Sequence, residues 1–405
     1  MIKFALLTVA AAFAAATVAF TRGDDPATAA PRVDRPVLTG TSADIPALER
    51  AVAAGQDDLR PDLALAYLQR ARETEDTAFY DTAERALGRP KTPAGLAIAA
   101  QLAAARHEFT KALALGAKAG NLGAPIRVDA LVELGRLDDA ERELQAMIDR
   151  RPNLEGYARV SYVRELRGDL DGAVEAMRLA LAAGGPSVEH GAYVNVLLGE
   201  LERRRGRPAA SRRAFQRTLA LMPEHPEAEM GLARLDAARS LDAGIARLRR
   251  LADRLPDFDH LIALGEAELA AGKPARRTFQ RVAAKRKTIG PLNADTALEL
   301  ALYEADHGNP REAVRFARFG YREAPSAKAA DTLGWALTRA GAPKEGRRYT
   351  REALRDGALD PLWLAHAGLT EIAAGGDGRR ELRLALAHGL DGHPWQAQQA
   401  RRALG

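Results

Sequence analysis

Eight histidines, set among 54 acidic residues, are the side chains of this 405-residue sequence most able to do chemistry. Histidines at helical spacing beside a carboxylate bind zinc, and a histidine between a nucleophile and an acid forms a catalytic triad. The histidines are His107, His190, His225, His260, His307, His366, His388 and His393. They fall in different parts of the chain. His388 and His393 stand close together, but no carboxylate motif surrounds them. We therefore expect surface or helix-capping roles and no metal site.

Other catalytic signatures are missing as well. The sequence has no GxSxG, no GxxxxGK[ST], no GxGxxG after a strand and no HExxH. It has no cysteine, which excludes disulfides, thiolate catalysis, zinc fingers and a lipoprotein attachment site. The sequence thus predicts a protein that is not an enzyme and that needs no cofactor.

The elements that carry these side chains are predicted to be helices. Hydrophobic residues make up 47% of the chain but aromatic residues only 5%, so alanine and leucine must supply the core. Alternating β-branched runs are nearly absent. This composition favours an all-α protein.

A repeated sequence pattern extends along the chain from residue 44 onwards. A loop glycine is followed five positions later by a small residue, nine positions later by an apolar residue, and then by a proline or glycine. Gly135 and Gly168 are 33 positions apart, as are Gly308 and Gly341, and Gly375 follows 34 positions later. Small residues near the middle of each first helix would let the second helix cross closely. Prolines would end the second helices, at Pro152, Pro223, Pro256 and Pro325.

This period and set of positions resemble the tetratricopeptide repeat (TPR). The resemblance implies a right-handed α-solenoid of about ten TPR-like helix-turn-helix hairpins over residues 44–405. Some units depart from the pattern: residues 60–90 and 95–120 lack the loop glycine, Arg239 replaces it in residues 226–257, and the loop at 273–275 is short.

The resemblance also implies a function, since partners of such arrays bind as peptides or helices in the groove lined by the first helices. The predicted groove residues are Tyr162, Tyr193, Glu200, Arg203, Asp331 and Trp335. Trp335 has two interpretations, a binding hot spot or packing against the adjacent hairpin. Trp363 and Trp395 are expected to seal the end of the stack. The family's lysine and asparagine clamp for carboxylate tails is not reproduced, because Asn195 falls on a packing position.

Two basic clusters have alternative interpretations, a docking strip for a polyanion or an ordinary solvated face. One comprises Arg203, Arg204, Arg205, Arg207, Arg212, Arg213 and Arg217, and the other Arg276, Arg277, Arg281, Lys285, Arg286 and Lys287. No aromatic residue alternates with these arginines as stacking on nucleic acid would require. The net charge of +5 is modest, so the solvated face is favoured.

The N-terminus predicts export. Lys3 precedes an apolar stretch from Phe4 to Phe20, which is typical of a signal peptide at 1–19, or of a retained signal anchor. Residues 20–43 are predicted to be a flexible linker. The sequence therefore favours an extracytoplasmic scaffold that binds a protein or peptide partner. The alternatives are a membrane-anchored envelope assembly factor and an intracellular regulator that uses its arginines on nucleic acid.

Overall fold

The computed structural model describes residues 42–74, 76, 78–184, 188–287 and 293–405. The predicted signal segment 1–19 and the predicted linker 20–43, up to residue 41, lie outside the described residues. Within the described ranges, no helix combines the length and apolarity needed to span a bilayer.

Helices account for almost all of the described residues, which contain no β-strand. The first seven are α1 (Ile45–Ala53), α2 (Arg60–Thr74), α3 (Ala78–Leu87), α4 (Pro93–Ala105), α5 (Phe109–Lys118), α6 (Ala124–Glu133) and α7 (Leu137–Arg150). The next seven are α8 (Leu154–Leu166), α9 (Leu170–Ala183), α10 (Val188–Arg204), α11 (Pro208–Leu221), α12 (Pro226–Ala237), α13 (Leu241–Arg254) and α14 (Phe258–Ala270). The last eight are α15 (Arg276–Arg286), α16 (Ala294–His307), α17 (Pro310–Glu323), α18 (Ala327–Arg339), α19 (Pro343–Ala353), α20 (Pro361–Ala373), α21 (Arg379–Ala387) and α22 (Pro394–Leu404).

Consecutive helices form ten hairpins, from α2/α3 to α20/α21, with α1 before them and α22 after them. In the described part of the chain, the predicted all-α class and the predicted number of about ten hairpins are confirmed. The four predicted helix-ending prolines each lie two positions beyond the last residue of α7, α11, α13 and α17. The units predicted to lack a loop glycine still form hairpins, α2/α3 and α4/α5.

Most loop glycines adopt a conformation that other residues avoid. Gly135 has φ 68°, and its amide donates to the Val132 carbonyl while the next amide donates to Leu131. This left-handed residue terminates the first helix and satisfies its last carbonyls. In the α4/α5 loop the same role falls to His107, which has φ 61°. That observation confirms the predicted helix-capping role for one histidine.

The small residues predicted at helix crossings are required by close contact. A Cβ added at Gly199 in α10 would lie 2.5 Å from Cε1 of Phe215, and one added at Gly231 in α12 would lie 2.2 Å from its Cζ. The Phe215 ring is fully buried between these two glycines. One aromatic side chain therefore joins α11 to the first helix of its own hairpin and to that of the next.

The chain divides into two compact units, which meet in sequence at Gly156 and Tyr157. In the unit up to Gly156, α1 packs on α2 and a core of leucine and alanine continues through α4. The unit from Tyr157 to Gly405 contains the largest core cluster, which extends from α12 to α18.

Candidate interaction surface

The first helices of hairpins in the unit 157–405 contact one another in two runs, α10 with α12 and α14 through α20. Direct contacts join α10 to α12, α14 to α16, α16 to α18 and α18 to α20. We call the surface formed by α10, α12, α14, α16, α18 and α20 the first-helix face. It carries the predicted groove residues Tyr193, Glu200, Arg203, Asp331 and Trp335.

Trp335 and Asp331 are buried on α18 and contact the next first helix. The Trp335 ring is 3% exposed and stacks on His366 of α20, with centroids 4.6 Å apart and planes 10° apart. Its Nε1 donates to Oδ1 of Asp306 at 3.0 Å. Asp331 Oδ2 lies 2.8 Å from Nδ1 of His366. Trp335 thus packs against the adjacent hairpin, which is one of its two predicted interpretations.

Two carboxylates and a histidine around this indole have shifted pKa values. Burial, reinforced by the charge of Glu266, raises the pKa of Asp306 to about 6. Burial also raises the pKa of the Asp331 carboxyl, against the opposing effect of His366. Burial alone would lower the pKa of His366, but the Asp331 carboxylate outweighs it and raises that pKa. Of the three groups, Asp306 therefore titrates near pH 6.

Glu200 and Arg203 form a separate buried charge cluster at the end of α10. Two guanidinium nitrogens of Arg203 donate to Oε2 of Glu200, at 2.9 and 3.1 Å. Arg234 of α12 lies 3.7 Å from the other oxygen. Burial would raise the pKa of Glu200, but Arg203 and Arg234 overcome it and hold that pKa at about 2. Glu200 is therefore ionised at any physiological pH.

The two predicted tyrosines lie beside this charge cluster and not beside Trp335. Tyr162 is half-buried on α8 and is close enough to influence the charge of Arg204. Tyr193 is half-buried on α10. The six predicted groove residues therefore belong to two places, one at α8 to α12 and one at α16 to α20. That they bind a partner stays a prediction.

The chain's own C-terminal segment, residues 388–405, lies on the first-helix face. Within it, α22 packs against α14, and the short 3-10 turn before α22 packs against α12. The Gln396 Nε2 donates to Oε1 of Glu266 at 2.9 Å, and Gln398 Nε2 donates to the Ala270 carbonyl at 2.7 Å. Two side-chain amides thus fix α22 to α14.

An aromatic platform receives the first turn of α22. The Trp395 ring lies 4.7 Å from the ring of His307, which in turn stacks on Phe279 at 4.7 Å. His307 Nε2 lies 3.1 Å from Oε1 of Glu266. The expectation that Trp395 seals the end of the stack is wrong, because it contacts α16, two hairpins before the last one.

The start of the C-terminal segment is joined to α10. The Arg203 Nη1 donates to the carbonyl of Gly389 at 2.9 Å, and Nδ1 of His388 donates to the carbonyl of Arg204 at 2.8 Å. Arg204 also pairs with Glu165 and with Asp360, the latter at 3.2 Å. These contacts bring the last hairpin of the unit back to its early helices.

Sequence reasoning did not find this arrangement. The repeat pattern assigns no role to a helix beyond the tenth hairpin, and Glu266, Asp306 and Gln396 occupy no motif. One signal was present: α22 contains three glutamines, whereas no second helix of a described hairpin contains more than one.

The first basic cluster is largely engaged in ion pairs. Its buried or half-buried members pair with carboxylates of the same unit; these are Arg203, Arg204, Arg205 and Arg212. In the second cluster, Arg281 pairs with Asp253 and Lys285 with Asp257. The expectation of an ordinary solvated face is wrong for Arg203 and Arg204, which are buried in ion pairs with carboxylates of the fold.

Two buried histidine side chains, His307 and His366, are paired with carboxylates of the fold. In the part of the chain that the structure describes, no group of three or more histidines and carboxylates is placed to hold a metal ion. His307 faces the Glu266 carboxylate and the rings of three aromatic residues, Phe279, Tyr303 and Trp395. His366 faces the Asp331 carboxylate and the Trp335 ring.

Three solved structures are similar to parts of this chain. No protein-family model and no curated protein sequence matches the chain. A TPR protein of Thermus thermophilus, TTC0263, is 20% identical over 44% of this chain and all of its own, with a TM-score of 0.39. A human IFIT1 dimer with m7Gppp-AAAA is 14% identical over 85% of this chain and 86% of that one, with a TM-score of 0.46. A chain of the Cut9–Hcn1 hetero-tetramer of the APC/C is 13% identical over 98% of this chain and 99% of that one, with a TM-score of 0.34.

Proposed function

We propose that this protein is a non-catalytic interaction scaffold that works outside the cytoplasm and binds a protein partner on the first-helix face. The observation that supports this proposal is that the face already holds a helix, α22, through side-chain hydrogen bonds and an aromatic contact. A surface that accommodates one helix has the shape and the hydrogen-bonding groups to accommodate another.

A scaffold role agrees with the way that polar side chains are used. Glu200, Arg203 and Asp331 bond to neighbouring helices of the unit, as do His307 and His366. Buried polar groups of this kind are costly unless they are paired, and paired groups specify how helices dock. The same groups would need an open pocket to act on a substrate.

The site of action is proposed from the sequence. The apolar stretch from Phe4 to Phe20 after Lys3 supports export, and the chain has no cysteine to be oxidised there. N-terminal sequencing of the mature protein, made in the native host, separates the two forms. A start near residue 17–20 supports a cleaved signal peptide, whereas an intact N-terminus in the membrane fraction supports the anchored assembly factor.

The nucleic-acid regulator is the weaker candidate. Four of the seven arginines in the first cluster are held by carboxylates of the fold, which leaves fewer positive charges to neutralise phosphates. Binding of single-stranded RNA that weakens steeply with salt, together with cytoplasmic retention of the tagged chain, would favour it.

Site-specific photo-crosslinking in the native host tests the scaffold proposal. A photoreactive residue is placed at Leu269, which is exposed near the end of α14, and at Arg315, which is exposed on the second helix α17. The proposal expects a discrete crosslinked partner protein from position 269 and none, or a weaker one, from position 315. Equal crosslinking from both positions, or none from position 269, would contradict it.

A further inference from the structure

The C-terminal segment also indicates what kind of partner the first-helix face fits. We infer that the partner is an α-helix with an aromatic anchor followed by side-chain N–H donors one and three residues later, and that it binds by replacing α22 on α14 and α16. This inference rests on the proposed function and specifies its partner.

The chemistry of the partner follows from the groups that α22 contacts. The face offers an aromatic ring at His307, a carboxylate at Glu266 and the Ala270 carbonyl at the end of α14. The last two are hydrogen-bond acceptors, so they require donors from the helix that docks there. In α22 the ring comes from Trp395, and the donors stand one and three positions after it.

The charge of the face also restricts which helix can bind there. The buried carboxylates Glu266 and Asp306 lie behind the platform, and the C-terminal end of the α14 dipole is negative. The helix α22 meets this region with no acidic residue and with two arginines in its last turn. A neutral or basic helix therefore suits the face, and an acidic one does not.

The contact of α22 with α14 is mainly polar and can be replaced. The apolar residues of α22, Ala397, Ala400 and Leu404, pack on α20 and α21, whereas its contact with α14 and α16 is made by two glutamine hydrogen bonds and the Trp395 ring. The Oε1 of Gln396 is buried and has no hydrogen-bond partner among the described residues. A buried acceptor left without a donor destabilises the docked state.

The joint between the segment and the face is also imperfectly filled. A cavity of about 20 Å³ lies where His393 and Pro394 meet Arg234 and Glu266. That volume holds about one water molecule. A helix with better packing at this point would gain contacts that α22 does not make.

The contacts at the start of the segment would persist through such an exchange. The Gly389 carbonyl is held by Arg203, and His388 is bonded to the carbonyl of Arg204. Because these bonds lie before α22, residues 388 and 389 can stay in place while the helix leaves α14 and gives up its apolar contacts with α20 and α21. The tether keeps α22 at a high effective concentration, so it competes with any incoming helix.

A peptide-binding experiment on the full chain tests the inference. The probe is a fluorescein-labelled peptide of residues 388–405, and binding is followed by fluorescence anisotropy. The variants are the wild type, the double variant Gln396→Ala/Gln398→Ala, and the control Arg402→Ala, which changes an exposed side chain of the same helix. We expect the double variant to bind the peptide at least tenfold more tightly than the other two, because its own helix no longer competes.

Sequence specificity is the second requirement. A peptide that carries Trp395→Ala and Gln396→Ala should bind the double variant at least tenfold more weakly than the wild-type peptide does. The inference is overturned if the double variant, folded by far-UV circular dichroism, binds the wild-type peptide no better than the wild-type chain does, or binds both peptides equally.

If the double variant does not fold, hydrogen exchange on the wild type decides. Amides of α22 should exchange at least tenfold faster than those of α14, since α22 is inferred to open alone. Equal protection of the two helices would overturn the inference. A partner crosslinked at position 269 in the absence of peptide binding would keep the proposed function and remove only this partner class.

Discussion

The side-chain amide of Gln396 donates a hydrogen bond to the carboxylate of Glu266, a residue 130 positions earlier in the chain. In an array of repeats, most contacts join neighbouring hairpins. This bond instead joins the last helix to the first helix of the seventh hairpin, α14. It is the clearest sign that the first-helix face has an occupant.

The histidine platform should contribute to the stability of the C-terminal segment. Trp395→Ala removes a half-buried indole from the His307 ring, and we expect α22 to lose about 2–3 kcal/mol of docking free energy. Amide exchange in α22 should accelerate while α14 stays protected. A matched change at the exposed Arg402 should leave exchange unaltered. Unchanged exchange in α22 of the tryptophan variant would show that the ring contact adds nothing.

The Trp335 indole should stabilise the fold through its hydrogen bond as well as its ring. Trp335→Phe keeps an aromatic ring against His366 but removes the donor to Asp306, which leaves a buried acceptor. We expect the free energy of unfolding to fall by about 1–3 kcal/mol in chemical denaturation. Trp363→Phe, at a half-buried position of α20, serves as the control and should cost less.

The raised pKa of Asp306 predicts that the stability of the fold falls as the pH rises. Its pKa is about 6 in the fold and about 3.8 unfolded, so the folded state binds more protons between these values. The penalty for ionising Asp306 is therefore full above pH 6 and disappears as the pH falls towards 4. Asp306→Asn keeps an acceptor for Trp335 and should be more stable than the wild type at pH 7.5, by about 2 kcal/mol. Thermal denaturation should show this advantage shrinking below pH 6, and a constant difference would contradict the assignment.

The two glycines that contact Phe215 should be intolerant of a methyl group. Gly199→Ala places a Cβ 2.5 Å from the ring, and we expect a loss of about 1–3 kcal/mol in stability. Gly191, in the same helix, has its nearest neighbour at 3.3 Å, the flexible end of Leu221. Gly191→Ala should therefore be neutral or stabilising by up to about 1 kcal/mol, through helix propensity. Equal effects of the two substitutions would contradict the packing argument.

Arg204 should be among the most important polar side chains of the fold. Arg204→Ala leaves Glu165 and Asp360 buried without their cation, which costs about 3–5 kcal/mol. Arg213 belongs to the same basic cluster but is exposed, and Arg213→Ala should change stability by less than about 0.5 kcal/mol. Denaturant midpoints measure both. Similar midpoints for the two variants would refute a structural role for Arg204.

The sequence was sufficient for the hairpins because their determinants are local. A glycine such as Gly135 and a proline such as Pro152 act on the few residues around them, and their spacing repeats along the chain. Even the missing loop glycine at 95–120 was replaced locally, by His107. Local determinants of this kind can be recognised from the sequence alone.

The contact of α22 with the first-helix face could not be predicted from the sequence in the same way. The groove positions of Trp335 and Glu200 follow from the repeat, but their burial depends on side chains of the adjacent first helices, His366 and Arg234, which the repeat spacing does not specify. Nothing in the spacing of Glu266 and Gln396 indicates that they meet. The sequence therefore places these residues on first helices, whereas it does not show which of them the fold buries.

The return of the last hairpin to α10 has a consequence for synthesis on the ribosome. Arg203 and Arg204 must wait for Gly389 and His388, which follow them by 186 and 184 positions. At roughly 5–20 residues per second, translation delays these bonds by about 10–40 s. Completion of this unit is therefore a late event that depends on chain length.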